Sequence, residues 1–298
     1  MVVRGAGIRA RESQAPVQIL ICDDNGVIST ASAFIFASGE RHFLITNWHN
    51  VSGKDFLTGE LLCGRAPTYL KARIATVVDE HGGFNMPAHR VDIYDQETRE
   101  PLWMEHPELG RLCDVVALPF SLPSTTPPNL HVPVNQIHSI RIPVRPGSTV
   151  FIIGYPHNLS VHIGWPIWKS GYVASEPHYD ATLGGCLRED GARIGGQTLP
   201  AFFIDSLTRK GMSGAPVFAN FVGNWDMHDP YAPVEPDAPD FLDRDDIALS
   251  ENRMEFVGAY SSRVPAEEGE AALGLCIKRS AIEAICEGGV QGKHPHFV

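Results

Sequence analysis

The sequence predicts an all-β fold of two sheet-rich halves with one short helix near the C-terminal end. Short runs of β-branched and aromatic residues recur along the 298-residue chain. The 28 glycines and 23 prolines are dispersed between these runs, as expected for strands joined by turns. Helical periodicity is confined to the end of the chain. With 43% hydrophobic residues, the chain is long enough to bury one large core or two ordinary ones.

Eight segments carry the strand pattern, in the order 17–22, 32–36, 42–45, 70–78, 90–94, 115–118, 150–153 and 202–204. A single helix is predicted over 280–287. There Ser280 and Glu283 form an S-x-x-E capping box, and Ile282, Ile285 and Cys286 share one face.

The domain organisation follows from proline and charge. A proline-dense segment separates two strand-rich halves, and proline cannot donate in a β-ladder. We predict a first domain over 15–120, a linker over 121–134 and a second domain over 135–290. An acidic, proline-rich insertion is predicted within the second domain over 224–250. Its composition favours a solvated segment, with a calcium loop as the minor alternative because the known loop spacing is absent.

Charge and composition exclude several classes of partner. The formal net charge of −11 repels nucleic acid and anionic membranes, and no apolar run approaches the roughly 18 residues of a membrane span. The six cysteines show neither a C-x-x-C motif nor zinc-type spacing with histidine. We expect reduced thiols, no metal, no cofactor and a cytoplasmic location, since no secretory signal is apparent.

Three segments carry residues suited to nucleophilic catalysis. G-M-S-G-A-P-V at 211–217 places Ser213 between two glycines, whose backbone freedom lets amide N–H groups turn toward one point. T-N-W-H at 46–49 places His49 just past a strand. C-D-V-V-A-L at 113–118 places Asp114 at the mouth of an apolar strand, where an unpaired charge is costly. A serine hydroxyl needs such a base, and the base needs such a carboxylate.

In this order, T-x-x-H, D-V-V-A-L and G-x-S-G-x-P-V resemble the trypsin-like (chymotrypsin-fold) serine endopeptidases, in their bacterial-type branch. The His, Asp, Ser order differs from that of α/β-hydrolases and of subtilisin-like enzymes. F-I-I-G-Y-P at 151–156 and F-V-G-A-Y-S at 256–261 resemble strands of the same family's second barrel. The resemblance covers roughly residues 15–290 and implies two antiparallel β-barrels with the site between them.

The resemblance also implies the roles of individual residues. His49 is the general base and acid, Asp114 orients it, and Ser213 is the nucleophile. The N–H groups of Gly211 and Ser213 form the oxyanion hole. Two departures from the animal members are visible: Asn50 stands where they have a cystine, and Met212 stands where they have the aspartate that captures a new N-terminus. Activation by N-terminal trimming is therefore not expected.

The resemblance implies a substrate pocket between the segment 207–210 before Ser213 and the strand after it, with substrate backbone added along 261–263. No acidic residue lies at its base, so a preference for Lys or Arg is not expected. Two alternatives stay open: an electrostatic pocket for an acidic side chain, or a small apolar one with the bases in solvent. The predicted substrate-binding residues are Thr208, Lys210, Tyr260, Ser261, Ser262 and Arg263.

The function predicted is that of a serine endopeptidase acting on protein or peptide substrates. Two alternatives remain: a catalytically dormant fold that binds or senses peptides and is activated by a protein partner, and an acyl hydrolase of small esters. Reaction with a fluorophosphonate separates the first alternative from the enzyme.

Overall fold

The prediction of an all-β fold with a short C-terminal helix is confirmed. A computed structural model describes residues 10–79, 83–138, 141–184, 186–187, 193–194, 196–226, 228–229, 231, 244, 246–248, 252–263 and 273–296. The described chain is mostly strand, with two α-helices and three single turns of 3₁₀ helix.

The first half contributes β1–β9: Pro16–Asp23, Gly26–Ser38, Arg41–Thr46, Tyr69–Arg73, Thr76–Val77, Phe84–Asn85, Ala88–Asp92, Met104–Glu105 and Val116–Pro119. The second half contributes β10–β22: Thr149–Gly154, Ile167–Val173, Ala181–Leu183, Cys186–Leu187, Arg193–Ile194, Gln197–Leu199, Ala201–Asp205, Pro216–Phe221, Trp225–Asp226, Ile247–Ala248, Arg253–Arg263, Leu273–Lys278 and Val290–Gln291. The helices are α1 (Trp48–Ser52) and α2 (Arg279–Gly288), and the 3₁₀ turns are Arg11–Gln14, Val134–Gln136 and Pro156–Asn158.

Two antiparallel sheets dominate the structure. The first has eight strands in the order β22-β8-β9-β3-β2-β1-β4-β7. The second is a closed six-stranded barrel in the order β10-β11-β16-β21-β20-β17. The remaining described strands form the two-stranded pairs β5-β6, β12-β15, β13-β14 and β18-β19. All eight predicted strand segments overlap strands of the structure, although 70–78 is divided between β4 and β5.

One aromatic cluster joins the two sheets. Phe34 and Phe36 lie on β2 of the first sheet, and Phe218 and Phe256 lie on β17 and β20 of the barrel. The Phe256 ring centroid lies 5.3 Å from that of Phe34 and 6.0 Å from that of Phe218. Edge-on contacts of this kind add to the free energy gained by burying the rings. The main hydrophobic core therefore contains residues of both sheets.

The helices differ from the prediction in two ways. α1 was not predicted, because five residues are too few to show a helical period. α2 begins one residue earlier than expected, with Lys278 as its N-cap and no side-chain cap. The predicted capping box is wrong: Ser280 lies inside the helix, and Glu283 Oε1 accepts from Arg279 Nε at 2.7 Å. The predicted apolar face of Ile282, Ile285 and Cys286 is buried.

The five cysteines in the described part of the chain are free thiols, and Cys63 is the exposed one among them. Cys186 lies in a strand whose side chains are outside the described set. No helix formed by the described residues is long and apolar enough to cross a membrane. Most of the predicted acidic insertion, including 232–243, lies outside the described residues.

Candidate active site

Asp114 is hydrogen-bonded both to the helix that carries His49 and to the His49 ring. Asp114 is fully buried just before β9. Its Oδ1 accepts from the backbone N–H of His49 at 3.0 Å, and its Oδ2 lies 2.8 Å from His49 Nδ1. The backbone carbonyl of Asp114 accepts from Asn47 Nδ2 at 2.7 Å. The carboxylate thus binds the first turn of α1 and the imidazole ring together, which compensates its burial.

A third group completes the surroundings of this carboxylate. Ser261 is fully buried on β20, and its Oγ donates to Asp114 Oδ2 at 2.6 Å. From the sequence, Ser261 was predicted only to bind substrate. Its side chain instead contacts the carboxylate from the side of the barrel, which leaves only its backbone for the predicted pairing with substrate. With three hydrogen bonds accepted, Asp114 is a fixed acceptor for the imidazole N–H.

The electrostatics of His49 follow from this arrangement. Burial disfavours the imidazolium, but the charge of Asp114 and its hydrogen bond to the ring outweigh burial, and Asp55 adds a smaller attraction. Asp114 and Asp55 together raise the pKa of His49 above its ordinary value of 6.5. A neutral imidazole held with Nδ1 on a carboxylate presents Nε2 as the basic atom.

The 211–214 loop has a backbone that only glycine accommodates at two positions. Gly211 has a φ of +97° and Gly214 a φ of +81°. A Cβ on Gly211 would lie 2.3 Å from the carbonyl oxygen of Tyr155, and a Cβ on Gly214 would lie 2.2 Å from that of Ser32. Both glycines are therefore required by backbone conformation and by close approach. The loop presents Ser213 three residues before the start of β17.

Two N–H groups of this loop have no protein partner among the described residues. Within the part of the chain that the structure describes, the N–H groups of Gly211 and Ser213 make no hydrogen bond, whereas Gly214 N donates to Tyr260 O at 2.8 Å. The carbonyls of the preceding peptides are held elsewhere: Lys210 O accepts from His157 N at 2.7 Å, and Met212 O accepts from the N–H of residue 215 at 2.9 Å. In a trans peptide the N–H points opposite to the carbonyl, so both N–H groups face away from these partners.

His49 and Ser213 line one open cavity of about 210 Å³. No hydrogen bond between the Ser213 hydroxyl and the His49 ring occurs among those of the described residues. Three larger cavities, of about 470 to 640 Å³, contain none of the three predicted triad residues. The other residues lining the cavity are Asp55, Phe56, Leu62, Thr208, Arg209, Lys210, Tyr260, Ser262 and Arg263.

Five of the six predicted substrate-binding residues line this cavity. The Thr208 and Tyr260 hydroxyls are hydrogen-bonded to each other and buried, so they form part of the wall rather than free donors. Lys210 and Arg263 are exposed, as is Arg209 beside them. Opposite charge in the wall comes from Asp55, whose Oδ1 accepts from two backbone N–H groups of its own loop.

Met212 and Asn50, which the sequence comparison singled out, both have structural roles. The Met212 side chain is fully buried in the core of the barrel. Asn50 Nδ2 donates to Thr46 Oγ1 at 2.9 Å and reaches the carbonyl oxygen of Ser213 at 3.5 Å. Asn50 therefore links α1 to the serine loop by a side-chain hydrogen bond.

No protein-family model and no curated protein matches the sequence. The chain is similar to the crystal structure of the Rv3671c protease from M. tuberculosis in its active form, with a TM-score of 0.46 and 14% identity over 95% of this chain and 85% of that one. It is also similar to a serine endoprotease from Yersinia pestis, with a TM-score of 0.44 and 15% identity over 94% of this chain and 66% of that one.

Proposed function

We propose that the protein is a serine endopeptidase that hydrolyses peptide bonds through an acyl-enzyme. The observation that carries the proposal is the His49 ring, bound through Nδ1 to the buried Asp114 carboxylate in a cavity that Ser213 also lines. Asp114 fixes the tautomer in which Nε2 is the base. The carboxylate thereby orients the imidazole and stabilises the cation that forms during the reaction.

In the acylation step, His49 Nε2 accepts the proton of the Ser213 hydroxyl while Ser213 Oγ attacks the substrate carbonyl carbon. The carbonyl oxygen becomes an oxyanion that the N–H groups of Gly211 and Ser213 bind. Each such donor contributes on the order of 3 kcal/mol to transition-state stabilisation. His49 then gives its proton to the leaving amine, the C–N bond breaks, and the acyl group remains on Ser213. A water molecule repeats the sequence and releases the acid.

The contact between Ser213 and His49 is expected to form with substrate. Catalytic hydrogen bonds are often long or poorly aligned in unliganded sites and tighten in the substrate complex. The two free N–H groups support an oxyanion hole that exists before substrate binds, which separates this proposal from a dormant fold that needs a partner.

The test is labelling by a fluorophosphonate together with cleavage of a mixed peptide library. We expect the wild type to be labelled and to cleave peptides, and Ser213→Ala to lose both activities while remaining folded. Ser262→Ala is the matched control, since Ser262 lines the same cavity and should retain labelling. A folded wild type that is not labelled would favour the dormant peptide-binding alternative. Labelling with ester turnover but no peptide cleavage would favour the acyl hydrolase.

A further inference from the structure

Ser32 lies on β2 of the first sheet, yet its polar groups bind the loops of the barrel. The residue is fully buried. Its N–H donates to the carbonyl of Ser213 at 2.9 Å, and its Oγ donates to the carbonyl of Gly211 at 2.8 Å. The same Oγ accepts from the N–H of Tyr155 at 3.1 Å. One serine therefore joins the serine loop to the turn after β10.

The surrounding residues pack closely around Ser32. A Cβ on Gly154 would lie 2.6 Å from Ser32 Oγ, so a side chain at Gly154 would displace the hydroxyl. On the other side, Thr46 Oγ1 donates to the carbonyl of Ser32 at 2.9 Å. Thr46 immediately precedes the segment that leads into α1. Ser32 is thus held between the His49 side of the site and the Ser213 side.

Gly211 is the residue that most needs such a constraint. A glycine at φ +97° can rotate to other conformations at little cost, so its own backbone does not fix the direction of its N–H. Three hydrogen bonds provide this constraint: His157 N holds the carbonyl before Gly211, Ser32 Oγ holds the carbonyl of Gly211 itself, and Met212 N donates to Arg209 O at 3.2 Å. Without the hydroxyl, the peptide after Gly211 keeps only the longer bond from Met212 N to Arg209 O, so the Gly211 dihedral angles, and with them the direction of the Gly211 N–H, are less well fixed.

We propose that Ser32 is a positioning residue, which acts through the Gly211 and Ser213 carbonyls to keep two N–H groups aimed at the developing oxyanion. This inference rests on the proposed serine endopeptidase activity. It predicts that the Ser32 hydroxyl matters to the transition state and little to the binding of uncleaved substrate, because substrate binding does not require an aligned oxyanion hole.

The test compares Ser32→Ala with Ser175→Ala. Ser175 Oγ also accepts from a backbone N–H, that of Phe203 at 3.0 Å, so the control loses a similar bond away from the serine loop. For Ser32→Ala we expect kcat to fall about 100-fold with KM nearly unchanged. The affinity for a peptide aldehyde, whose adduct carries the oxyanion, should fall by a similar factor. Binding of an uncleaved peptide should be equal in Ser213→Ala and in Ser213→Ala combined with Ser32→Ala.

An unchanged kcat in Ser32→Ala, or a rise in KM alone, would overturn the positioning role. If Ser32→Ala does not fold, Ser32→Cys retains a weak donor in a slightly larger side chain, and an intermediate loss of kcat is expected. A second measurement does not depend on activity. Lys210-Gly211 is the only Lys-Gly pair in the sequence, so labelling Lys carbonyl carbon and Gly nitrogen selects one amide resonance. That resonance should move in Ser32→Ala and not in Ser175→Ala.

These measurements separate the two proposals. A folded wild type that neither reacts with the fluorophosphonate nor cleaves peptides would contradict the proposed function, whatever the resonance does. An unmoved Gly211 resonance in folded Ser32→Ala would contradict the role of Ser32, whatever the activity of the wild type.

Discussion

At the scale of single residues, the charge state of His49 determines the pH range in which the proposed site can act. Only the neutral imidazole accepts the serine proton, and the pKa of His49 lies above 6.5 because Asp114 and Asp55 favour the cation more strongly than burial opposes it. We therefore expect kcat/KM to rise with pH along an acid limb centred above 6.5. Turnover of a peptide ester or amide over a pH series measures this limb. A limb centred below 6.5 would contradict the electrostatic account.

Replacing Asp114 and replacing Asp55 should shift the acid limb of the pH profile by different amounts. Asp114→Asn removes the main attraction and the tautomer-fixing bond, so the limb should move to lower pH and plateau activity should fall about ten thousandfold. Asp55→Asn is the matched variant, since an amide oxygen can still accept from the N–H groups of Leu57 and Thr58. It should move the limb to lower pH by less and leave plateau activity close to that of the wild type. Near-normal turnover in Asp114→Asn would mean that another group orients the ring.

Sequence and structure differ in what they reveal about single residues. His49, Asp114 and Ser213 each stand in a short motif, so local patterns were enough to select them. The bonds from Ser261 to Asp114 and from Ser32 to Gly211 join residues 147 and 179 positions apart. No local pattern distinguishes these serines from others, because their roles depend on which loops the two sheets bring together.

At the scale of secondary-structure elements, the strands were predictable and the helix carrying His49 was not. Alternation along strands such as 70–73 follows from one buried face, which the sequence displays. α1 spans only five residues and depends on tertiary contacts, among them the bond from Asp114 to its first turn. Short helices of this kind gain little from intrinsic propensity, so their sequences carry a weak signal.

The acidic insertion can be replaced without removing the residues that hold its two ends. Its two ends are held by the described residues Asp226, Arg244 and Asp246, with Arg244 Nη2 at 3.0 Å and 2.8 Å from the two carboxylates. The Tyr231 hydroxyl also bonds to the backbone of Val144. We expect replacement of 232–243 by a short Gly/Ser linker to leave kcat/KM unchanged, because these ends remain.

Tyr231→Phe is the control for that replacement. It keeps the full chain and removes both bonds to Val144, so it should lower the melting temperature without changing peptide turnover. Peptide turnover and a thermal melt on each variant make the comparison. A large loss of turnover in a folded protein lacking 232–243 would show that the insertion supports the site or reaches the substrate.

At the scale of the whole molecule, the predicted domains 15–120 and 135–290 share one main core. We propose that they unfold together, because Phe256 of the barrel contacts Phe34 and Phe36 of the first sheet. Phe256→Ala should cost about 3 to 5 kcal/mol and shift a single calorimetric transition to lower temperature. Phe202→Ala, in a cluster made of residues from the second half, should shift the same single transition. Two transitions, of which Phe202→Ala moves only one, would show that the domains unfold independently.

The distribution of charge over the molecule bears on its substrate. The chain carries a formal net charge of −11, yet Arg209, Lys210 and Arg263 line the cavity beside Ser213 against the single carboxylate of Asp55. A positive site on a negative protein attracts an acidic side chain locally, although the protein as a whole repels acidic partners. We therefore expect a peptide library to show Glu or Asp enriched before the cut.

The preference for an acidic side chain should respond to both mutation and salt. Lys210→Ala and Arg263→Ala should each lower kcat/KM for acidic substrates by up to about fivefold, since exposed ion pairs contribute about 1 kcal/mol or less. Lys169→Ala, outside the described lining of the cavity, should have no effect. Raising the ionic strength from about 0.1 M to about 1 M shortens the screening length from about 10 Å to about 3 Å and should weaken the preference.

Enrichment of Leu, Ala or Val would mean that the three bases point to solvent and the pocket is small and apolar. Enrichment of Lys or Arg would contradict both interpretations, because Asp55 carries the only carboxylate among the described lining residues, against three bases.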